Sequence, residues 1–442
     1  MSELASAYPT SGGIYWWASK LGGAKAGFYT GWLNLIGLLA VTASIGYFAA
    51  VFLNTLITDI SSSYAASFMG GDYLKQQFAL FVLIMALVTV INIFGGHLLA
   101  IINNVSVWWH VFGAAAIVGI LIFAPTNHQT LKWMYTTQIN NSGFGSSTTT
   151  FWLYVLPLGF LLTQYTITGF DASAHLSEET HGAHMASARG IWQSIFYSAI
   201  GGYLLLMALL YAATNTNYIN SFDPKVNPYG GGSAIAILFT ALGDGAFFKL
   251  ILVITTAGQI FCVNASLTSC SRMMYAFSRD GAVPGGKLWK KVNKHRVPLN
   301  AVFVSSIIGI IITIPALWKT SSGAPTAFYA IVSVAVIGLY LAFMIPIYLR
   351  WKMAGNFTPG QWTLGSKYRW MNIVAVVEIL IISVYFVLPF TPTGIPWRKD
   401  FNWTAVNYAP ILTFGTLIVL WIWWHLSVKN WFKGPIRNID EP

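Results

Sequence analysis

The sequence predicts an all-α polytopic membrane protein, and two observations carry this prediction. The chain has 442 residues, of which 56% are hydrophobic and only 8% are charged. Soluble domains carry about 25% charged residues, so this composition cannot cover a water-exposed surface. In addition, ten apolar stretches reach the length of about 20 residues that crosses a bilayer as a helix.

The predicted spans are separated by short polar segments, which favours a single bundle over separate domains. A β-barrel would instead alternate in hydropathy over segments of about ten residues. The spans lie near 27–53, 76–96, 105–124, 151–171, 190–212, 246–274, 299–318, 326–349, 371–389 and 407–425. The apolar stretch 232–242 is too short to cross, and we expect it at the outer face.

The distribution of positive charge predicts the orientation. An even number of spans places both termini on one side, and the segments on that side hold 17 of the 24 Lys and Arg residues. The positive-inside rule therefore favours cytoplasmic termini, and we expect the plasma membrane. We attribute the net charge of +11 to this topology rather than to nucleic-acid binding.

Motifs for catalysis and metal binding are absent from the sequence. It contains no P-loop, HExxH, GxSxG or Cys/His cluster with metal-ligand spacing. Cys262 and Cys270 would lie about 12 Å apart along one helix, which is too far for a disulfide. We therefore predict that the protein is not an enzyme and that it needs no cofactor or metal.

Acidic residues are rare within the spans, where an Asp at the helix centre costs about 2.5–3.5 kcal/mol. Glu378 is near mid-span and is either a proton or cation site or a paired helix contact. Asp171 ends an apolar run in "TITGFDASAHLSEET". Gly169 and the threonines before it favour a broken helix that faces a cavity, but an ordinary helix end with Asp171 at the headgroups fits the spacing equally well.

His110 also falls within a predicted span, about a turn and a half from its start. A single histidine there is either a hydrogen-bonded packing residue or a proton carrier, because the unperturbed pKa of histidine is near 6.5. The adjacent Trp108 and Trp109 fit an interfacial aromatic belt.

Four stretches resemble the amino acid–polyamine–organocation superfamily of permeases. They are "SELASAYPTSGGIYWWASKLGG" with "GFYTGWLNLIG", "GFDASAHLSEET", "SRMMYAFSRDGAVP" and "NIFGGHLLAIINNVSVWWH". The likeness covers essentially the whole chain. It is greatest to the group that contains fungal GABA permeases and choline transporters, including "FKGP" near the C-terminus.

The resemblance implies a five-plus-five inverted-repeat fold, with the ten spans as the family's helices three to twelve. The first helix and most of the second are then missing, and the chain is expected to be N-terminally truncated. The implied divisions of this single permease domain are a cytoplasmic N-terminal segment 1–26, the remainder of the first repeat with the start of helix six 27–171, the second repeat 172–350, the last two helices 371–425 and a cytoplasmic tail 426–442.

The resemblance also implies roles for individual residues. "TITGF" resembles the unwound centre of the family's sixth helix, so Thr168, Gly169 and Phe170, with Tyr165, would contact the substrate. Asp171, Glu178 and Glu179 would form its inner end and the cytoplasmic gate. His110 falls where some proton-coupled relatives carry a lysine, and it joins Glu378 as a proton-coupling candidate. Oxygen ligands for sodium are possible at Asn264, Ser266 and Thr268.

The predicted function is secondary active transport, with protons coupled to amino acids or related amines such as GABA by alternating access. The partners are then a small-molecule substrate and the lipid bilayer. A choline, organic-cation or polyamine carrier is the alternative, with Tyr165, Phe170 and Tyr340 as a candidate aromatic cage. A non-transporting sensor or remnant is a third possibility, which the expected absence of the first helix favours.

Overall fold

The computed structural model describes residues 1–223, 225–294, 297–318 and 328–436. All regular secondary structure in these residues is helical, and ten helices are long and apolar enough to cross a membrane. We number the main helix of each span in chain order as α1 Gly13–Ile60, α2 Tyr73–Ile93, α3 Gly96–Phe123, α4 Leu156–Ile167, α5 Ala183–Ala212, α6 Ala246–Arg279, α7 Leu299–Thr313, α8 Phe328–Met353, α9 Tyr368–Val387 and α10 Ala409–Trp423.

Helices α1 and α8 form the centre of the bundle. In the most apolar 18-residue windows of these two spans, 72% and 78% of the residues are buried, against 17% or less in the spans of α3, α4, α5, α9 and α10. The first pair therefore lies inside, and the other five lie at the periphery, where their apolar side chains can face lipid.

The two central helices approach each other through glycines. A Cβ atom built on Gly37 of α1 would lie 2.6 Å from Leu339 Cγ and 2.9 Å from Leu339 N. A Cβ atom on Gly338 of α8 would lie 3.2 Å from the carbonyl oxygen of Leu33. Glycine lets the two backbones come this close, as small residues do at many membrane helix contacts.

Helix α1 is interrupted at Gly23, which has φ 78° and ψ −179°. This backbone conformation is essentially restricted to glycine, so Gly23 divides the helix into residues 13–22 and 24–60. Exposed Lys20 and Lys25 flank the break.

The residues before this break are folded into the helical body. Tyr15 and Trp17 are fully buried, and Trp17 Nε1 donates a hydrogen bond to the Tyr8 carbonyl at 2.7 Å. A short helix, Ser2–Ala7, contacts α5. Its Glu3 accepts hydrogen bonds from Arg350 Nε and Thr363 Oγ1, both at 2.9 Å. The predicted N-terminal segment 1–26 is therefore largely a packed part of the structure.

The fourth span is the least regular. It runs from Thr148–Thr150 through a π-helical turn, Phe151–Val155, into α4, and a four-residue helix, Ala172–His175, follows after a gap. Between the spans, the apolar stretch predicted at the outer face forms the nine-residue helix Ala234–Leu242, which begins where Ser233 Oγ accepts the Ala236 N–H.

The number of spans predicted from hydropathy is confirmed, whereas some boundaries are not. Helix α3 begins at Gly96 rather than at 105, because His97, Asn103 and Asn104 lower the hydropathy without breaking the helix. Both cysteines are free, as predicted. The start of the predicted span 326–349 and the end of the predicted tail, 437–442, lie outside the described residues.

Candidate functional site

Helix α4 ends at Ile167, in the stretch where the sequence favours a broken helix. Thr168 has an extended backbone, with φ −65° and ψ 147°, and Gly169 has φ +93°. Helical structure resumes at Ala172. Because a positive φ of this size strains any residue with a Cβ atom, the glycine determines where the helix breaks. The alternative of an ordinary helix end at Asp171 does not describe this geometry.

The break leaves backbone polar groups outside the helical hydrogen-bond pattern. The Gln164 carbonyl accepts hydrogen bonds from Thr168 Oγ1 at 2.8 Å and from Tyr340 Oη of α8 at 3.2 Å. The N–H groups of Gly169 and Phe170 donate to none of the described residues. Free N–H groups at a helix break can bind a carboxylate, as they do in transporters with discontinuous helices.

Aromatic side chains of the break itself, of α4 and of α8 lie close together. The rings of Phe170 and Phe343 have centroids 4.8 Å apart, and Phe343 lies 5.6 Å from Tyr340. Tyr165 Oη is 2.7 Å from Ser44 Oγ of α1. The residues predicted to contact substrate, Tyr165, Thr168, Gly169 and Phe170, therefore lie together, beside the two central helices.

Asp171 and His175 form a buried pair directly after the break. His175 Nε2 is 3.2 Å from Asp171 Oδ2, and both side chains are fully buried. His175 Nδ1 is 3.3 Å from the Ser11 carbonyl oxygen. Asp171 Oδ1 has no hydrogen-bond partner among the described residues. The sequence predicts a role for Asp171 and none for His175.

Glu178 and Glu179 pair with two arginines at the end of α6. Glu179 Oε1 accepts a hydrogen bond from Arg272 Nε at 3.1 Å, and Glu178 Oε2 is 3.8 Å from Arg279 Nη1. The Ser11 N–H donates to Glu178 Oε1 at 3.0 Å. These acids thus connect the broken span to α6 and to the N-terminal segment. Their role as a gate stays a prediction.

The two arginines are not among the site residues predicted from the sequence, although their spacing is a signal. Arg272 and Arg279 are seven residues apart, so two helical turns place them on one face of α6. The next residue, Asp280, accepts hydrogen bonds from Tyr15 Oη at 3.0 Å and from the Ile436 N–H at 3.1 Å. Burial raises the pKa of Asp280, and these donors, with Arg279, oppose the rise.

His110 lies near the middle of α3, so its predicted position near the start of the span is wrong. Its Nδ1 is 2.7 Å from the Ser106 carbonyl oxygen, one turn earlier in the same helix. Its Nε2 points toward α6 and would lie 3.4 Å from a Cβ atom built on Gly258. Among the described residues, no acidic side chain pairs with His110.

Glu378 of α9 accepts a hydrogen bond from Gln164 Nε2 at 2.6 Å. It lies in a mostly apolar groove of about 630 Å³ between α4 and α9, beside Phe160 and Val377. The structure therefore shows the paired helix contact that the sequence left open beside a proton or cation site. Because Gln164 lies in α4 directly before Tyr165, the Gln164–Glu378 hydrogen bond links α9 to the helix that breaks.

Asn264 and Thr268 face α2 in a closed polar cluster. Asn92 Nδ2 donates to Asn264 Oδ1 at 2.9 Å, and Thr268 Oγ1 donates to Asn92 Oδ1 at 2.7 Å. These side chains already hydrogen-bond to one another. Asn264 and Thr268, two of the three candidate sodium ligands, therefore serve as contacts between α6 and α2. Ser266 does not join this cluster.

The amino acid permease family model matches residues 1–417 of the chain. The chain belongs to this family. Members are membrane transporters rather than enzymes, so the permease is an integral membrane transport protein. The match extends from the short helix Ser2–Ala7 into α10 and includes the break in α4.

Individual relatives resemble the permease over nearly its full length. Amino-acid permease BAT1 of Arabidopsis thaliana is 35% identical over 99% of this chain and 83% of its own length. Its homologue in Oryza sativa subsp. japonica is 34% identical over 100% of this chain and 83% of its own length. A candidate polyamine transporter of Candida albicans is 23% identical over 100% of this chain and 77% of its own length.

Proposed function

We propose that this permease is a secondary active carrier that moves amino acids or related amines such as GABA together with protons, by alternating access around the break in α4. We place it in the plasma membrane with both termini in the cytoplasm. The observation that carries the proposal is the break itself. It presents the N–H groups of Gly169 and Phe170, which donate to none of the described residues, beside aromatic rings of the central bundle.

The chemistry of the break suits a zwitterionic substrate. Free backbone N–H groups favour a carboxylate, and the aromatic faces of Tyr165, Phe170 and Tyr340 favour an ammonium group. An amino acid carries both groups, and GABA carries them at greater separation. We therefore propose Tyr165, Thr168, Gly169 and Phe170 as the substrate-contacting residues.

The polar contacts after the break support the proposed gate. Glu178 and Glu179 bind α6 through side chains that can separate without unfolding a helix. Asp171 reaches the N-terminal segment only through His175, whose Nδ1 contacts the Ser11 carbonyl. We propose that these contacts hold the cytoplasmic side closed and that they open when substrate reaches that side.

Proton coupling is proposed at His110 and Glu378. Sodium coupling has less support, since Asn264 and Thr268 already form hydrogen bonds with the Asn92 side chain. Glu378 touches α4 through Gln164, which gives its protonation a direct route to the broken helix.

An organic-cation carrier is the second candidate, and the ring cluster of Phe170, Tyr340 and Phe343 is the feature that favours it. Choline carries a quaternary ammonium but no carboxylate, so it would use the rings without the free N–H groups. A third candidate, a sensor that binds substrate without carrying it, predicts binding without flux.

Transport by the purified permease in liposomes tests these proposals. We expect an inward proton gradient to drive accumulation of labelled GABA or another amino acid, and we expect unlabelled choline to compete poorly. Stronger competition by choline than by any amino acid would favour the organic-cation carrier. Saturable binding without uptake of any compound would favour the sensor. A sodium gradient that drives uptake at constant pH would contradict proton coupling.

A further inference from the structure

We infer that Asp171 and His175 together hold one transferable proton and that this buried pair is a coupling site of the carrier. The inference rests on the proposed proton-coupled transport. It adds a site to His110 and Glu378, and it assigns His175 a role that the break in α4 alone does not give it.

The hydrogen count of the pair follows from its two contacts. The Ser11 carbonyl can only accept, so His175 Nδ1 must carry a hydrogen. At the other side of the ring, Nε2 faces Asp171 Oδ2 at 3.2 Å, and a hydrogen bond there needs one proton between the two atoms. The proton resides either on the imidazole or on the carboxyl group, and in both cases the pair is neutral overall.

Removing that proton would be costly at this position. Two lone pairs would then face each other across 3.2 Å, and the fully buried pair would carry a net negative charge. Asp171 Oδ1 has no hydrogen-bond donor among the described residues, so nothing there stabilises the deprotonated carboxylate. A substrate ammonium or water that reaches this oxygen would lower the cost and would thereby favour release of the proton.

The titratable groups around the pair either have other partners or are exposed. Glu178 and Glu179, three and four residues after His175 in the chain, pair with Arg279 and Arg272 of α6. Tyr15 of α1 donates to Asp280, and Tyr340 of α8 donates to the Gln164 carbonyl. His184 of α5 contacts the Ser6 carbonyl through Nδ1, and Arg189 is exposed. None of them forms an ion pair with Asp171 or His175.

The pair lies between the proposed substrate site and the proposed cytoplasmic gate, so its position connects proton release to both. Asp171 follows the unwound residues directly, whereas His175 holds Ser11, whose N–H binds Glu178. On release, the proton passes to water, Nδ1 keeps its hydrogen, and no covalent bond to carbon changes. The Asp171–His175 hydrogen bond is lost, which frees the ring to move away from the gate contacts.

Asp171→Asn tests the inference with little change in shape. The Asn amide can donate to a neutral His175 Nε2, so both contacts of the ring remain while the transferable proton is removed. In liposomes we expect this variant to keep exchange of labelled for unlabelled substrate and to lose accumulation driven by the proton gradient. Asp400→Asn, at an exposed carboxylate, is the matched control and should keep both activities. Proton-driven accumulation at the wild-type level in Asp171→Asn would overturn the inference.

A second measurement separates this inference from the proposed function. Nitrogen NMR of labelled histidine in micelles, with the His175 signal assigned by its loss in His175→Gln, reports the protonation of the ring without transport. In wild type we expect the ring signals to change with pH as the shared proton is released, and in Asp171→Asn we expect a ring that stays neutral with hydrogen on Nδ1. Identical titration in both proteins would overturn the inference that Asp171 and His175 share a proton.

The two measurements together distinguish all outcomes. A difference in the NMR titration with no transport of any substrate would support the proton site and overturn both the coupling role and the proposed function. If Asp171→Asn does not fold, His175→Asn replaces it, because its amide can keep the Ser11 contact but cannot share a proton with Asp171. We expect the same loss of proton-driven accumulation from that variant, and wild-type accumulation would again overturn the inference.

Discussion

At the residue scale, Asp280 is the carboxylate on which three distant parts of the chain meet. It caps the end of α6, binds Tyr15 of the N-terminal segment, and accepts the N–H of Ile436 near the other end of the chain. Its burial raises its pKa, so the folded protein binds a proton at this site more tightly than the unfolded chain does. The contribution of Asp280 to stability is therefore present at low pH and is lost as pH rises through the folded pKa.

The variant Asp280→Asn tests the direction of this pH dependence of stability. Its amide oxygen can still accept the Ile436 N–H, and its NH₂ group can donate to Tyr15 Oη. Because the variant does not titrate, its stability relative to wild type should improve as pH rises from about 4 to about 7. Melting temperatures of both proteins in detergent at several pH values measure this. A difference that stays constant with pH would contradict it.

His110 carries the most specific coupling prediction made from the sequence. Its Nδ1 is held by Ser106, and its Nε2 faces α6 near Gly258. We expect His110→Ala to abolish accumulation driven by a pH gradient while exchange of labelled for unlabelled substrate continues. Uptake and exchange in liposomes measure the two activities. Gly258→Ala is the matched control for altered packing at the same contact, and it should lower both together. Persistent proton-driven accumulation in His110→Ala would remove this residue from the coupling mechanism.

At the element scale, hydropathy identified all ten spans but not how they are interrupted. A hydropathy average counts apolar residues, so the start of α3 and the end of α1 are misplaced where polar residues lie within the helix. The spacing of the residues fits a broken helix and an ordinary helix end equally well, and the positive φ of Gly169 in the structure distinguishes them. The pairing of Asn264 with Asn92 could not be predicted, because nothing local in the sequence specifies which helices become neighbours.

The crossing of α1 and α8 makes an element-scale prediction. Gly37→Ala would push a methyl group against Leu339 side-chain and backbone atoms, so we expect a loss of about 1–3 kcal/mol of stability, the usual cost of overpacking. Gly119→Ala in α3 is the matched control, since a Cβ atom there meets nothing within 4 Å and alanine is the better helix former. Thermal unfolding in detergent compares the two. Equal stability of both variants would contradict the close crossing.

At the scale of the whole molecule, residues near the start of the chain bind residues near α8 and α9, more than 340 positions later in the chain. Glu3 binds Arg350 across a sequence separation of 347 residues, and the Arg350 guanidinium lies 4.1 Å from the Phe357 ring and 3.9 Å from the Tyr368 ring. Ser6 accepts the Trp362 N–H at 2.8 Å. These contacts join the N-terminal helix to α8, to α9 and to the loop between them.

Glu3→Ala tests how much this junction contributes. The Glu3–Arg350 pair is nearly fully buried, so removing one partner leaves an uncompensated buried charge, which costs about 3–5 kcal/mol in comparable pairs. We expect a lower melting temperature in detergent and faster proteolysis within residues 354–367. Asp400→Ala removes the acid of an exposed pair with Arg398 and should leave both readouts unchanged, since exposed pairs are strongly screened. If Glu3→Ala behaves like this control, the N-terminal segment does not stabilise the bundle, and the gate contacts of Ser11 would lack a rigid support.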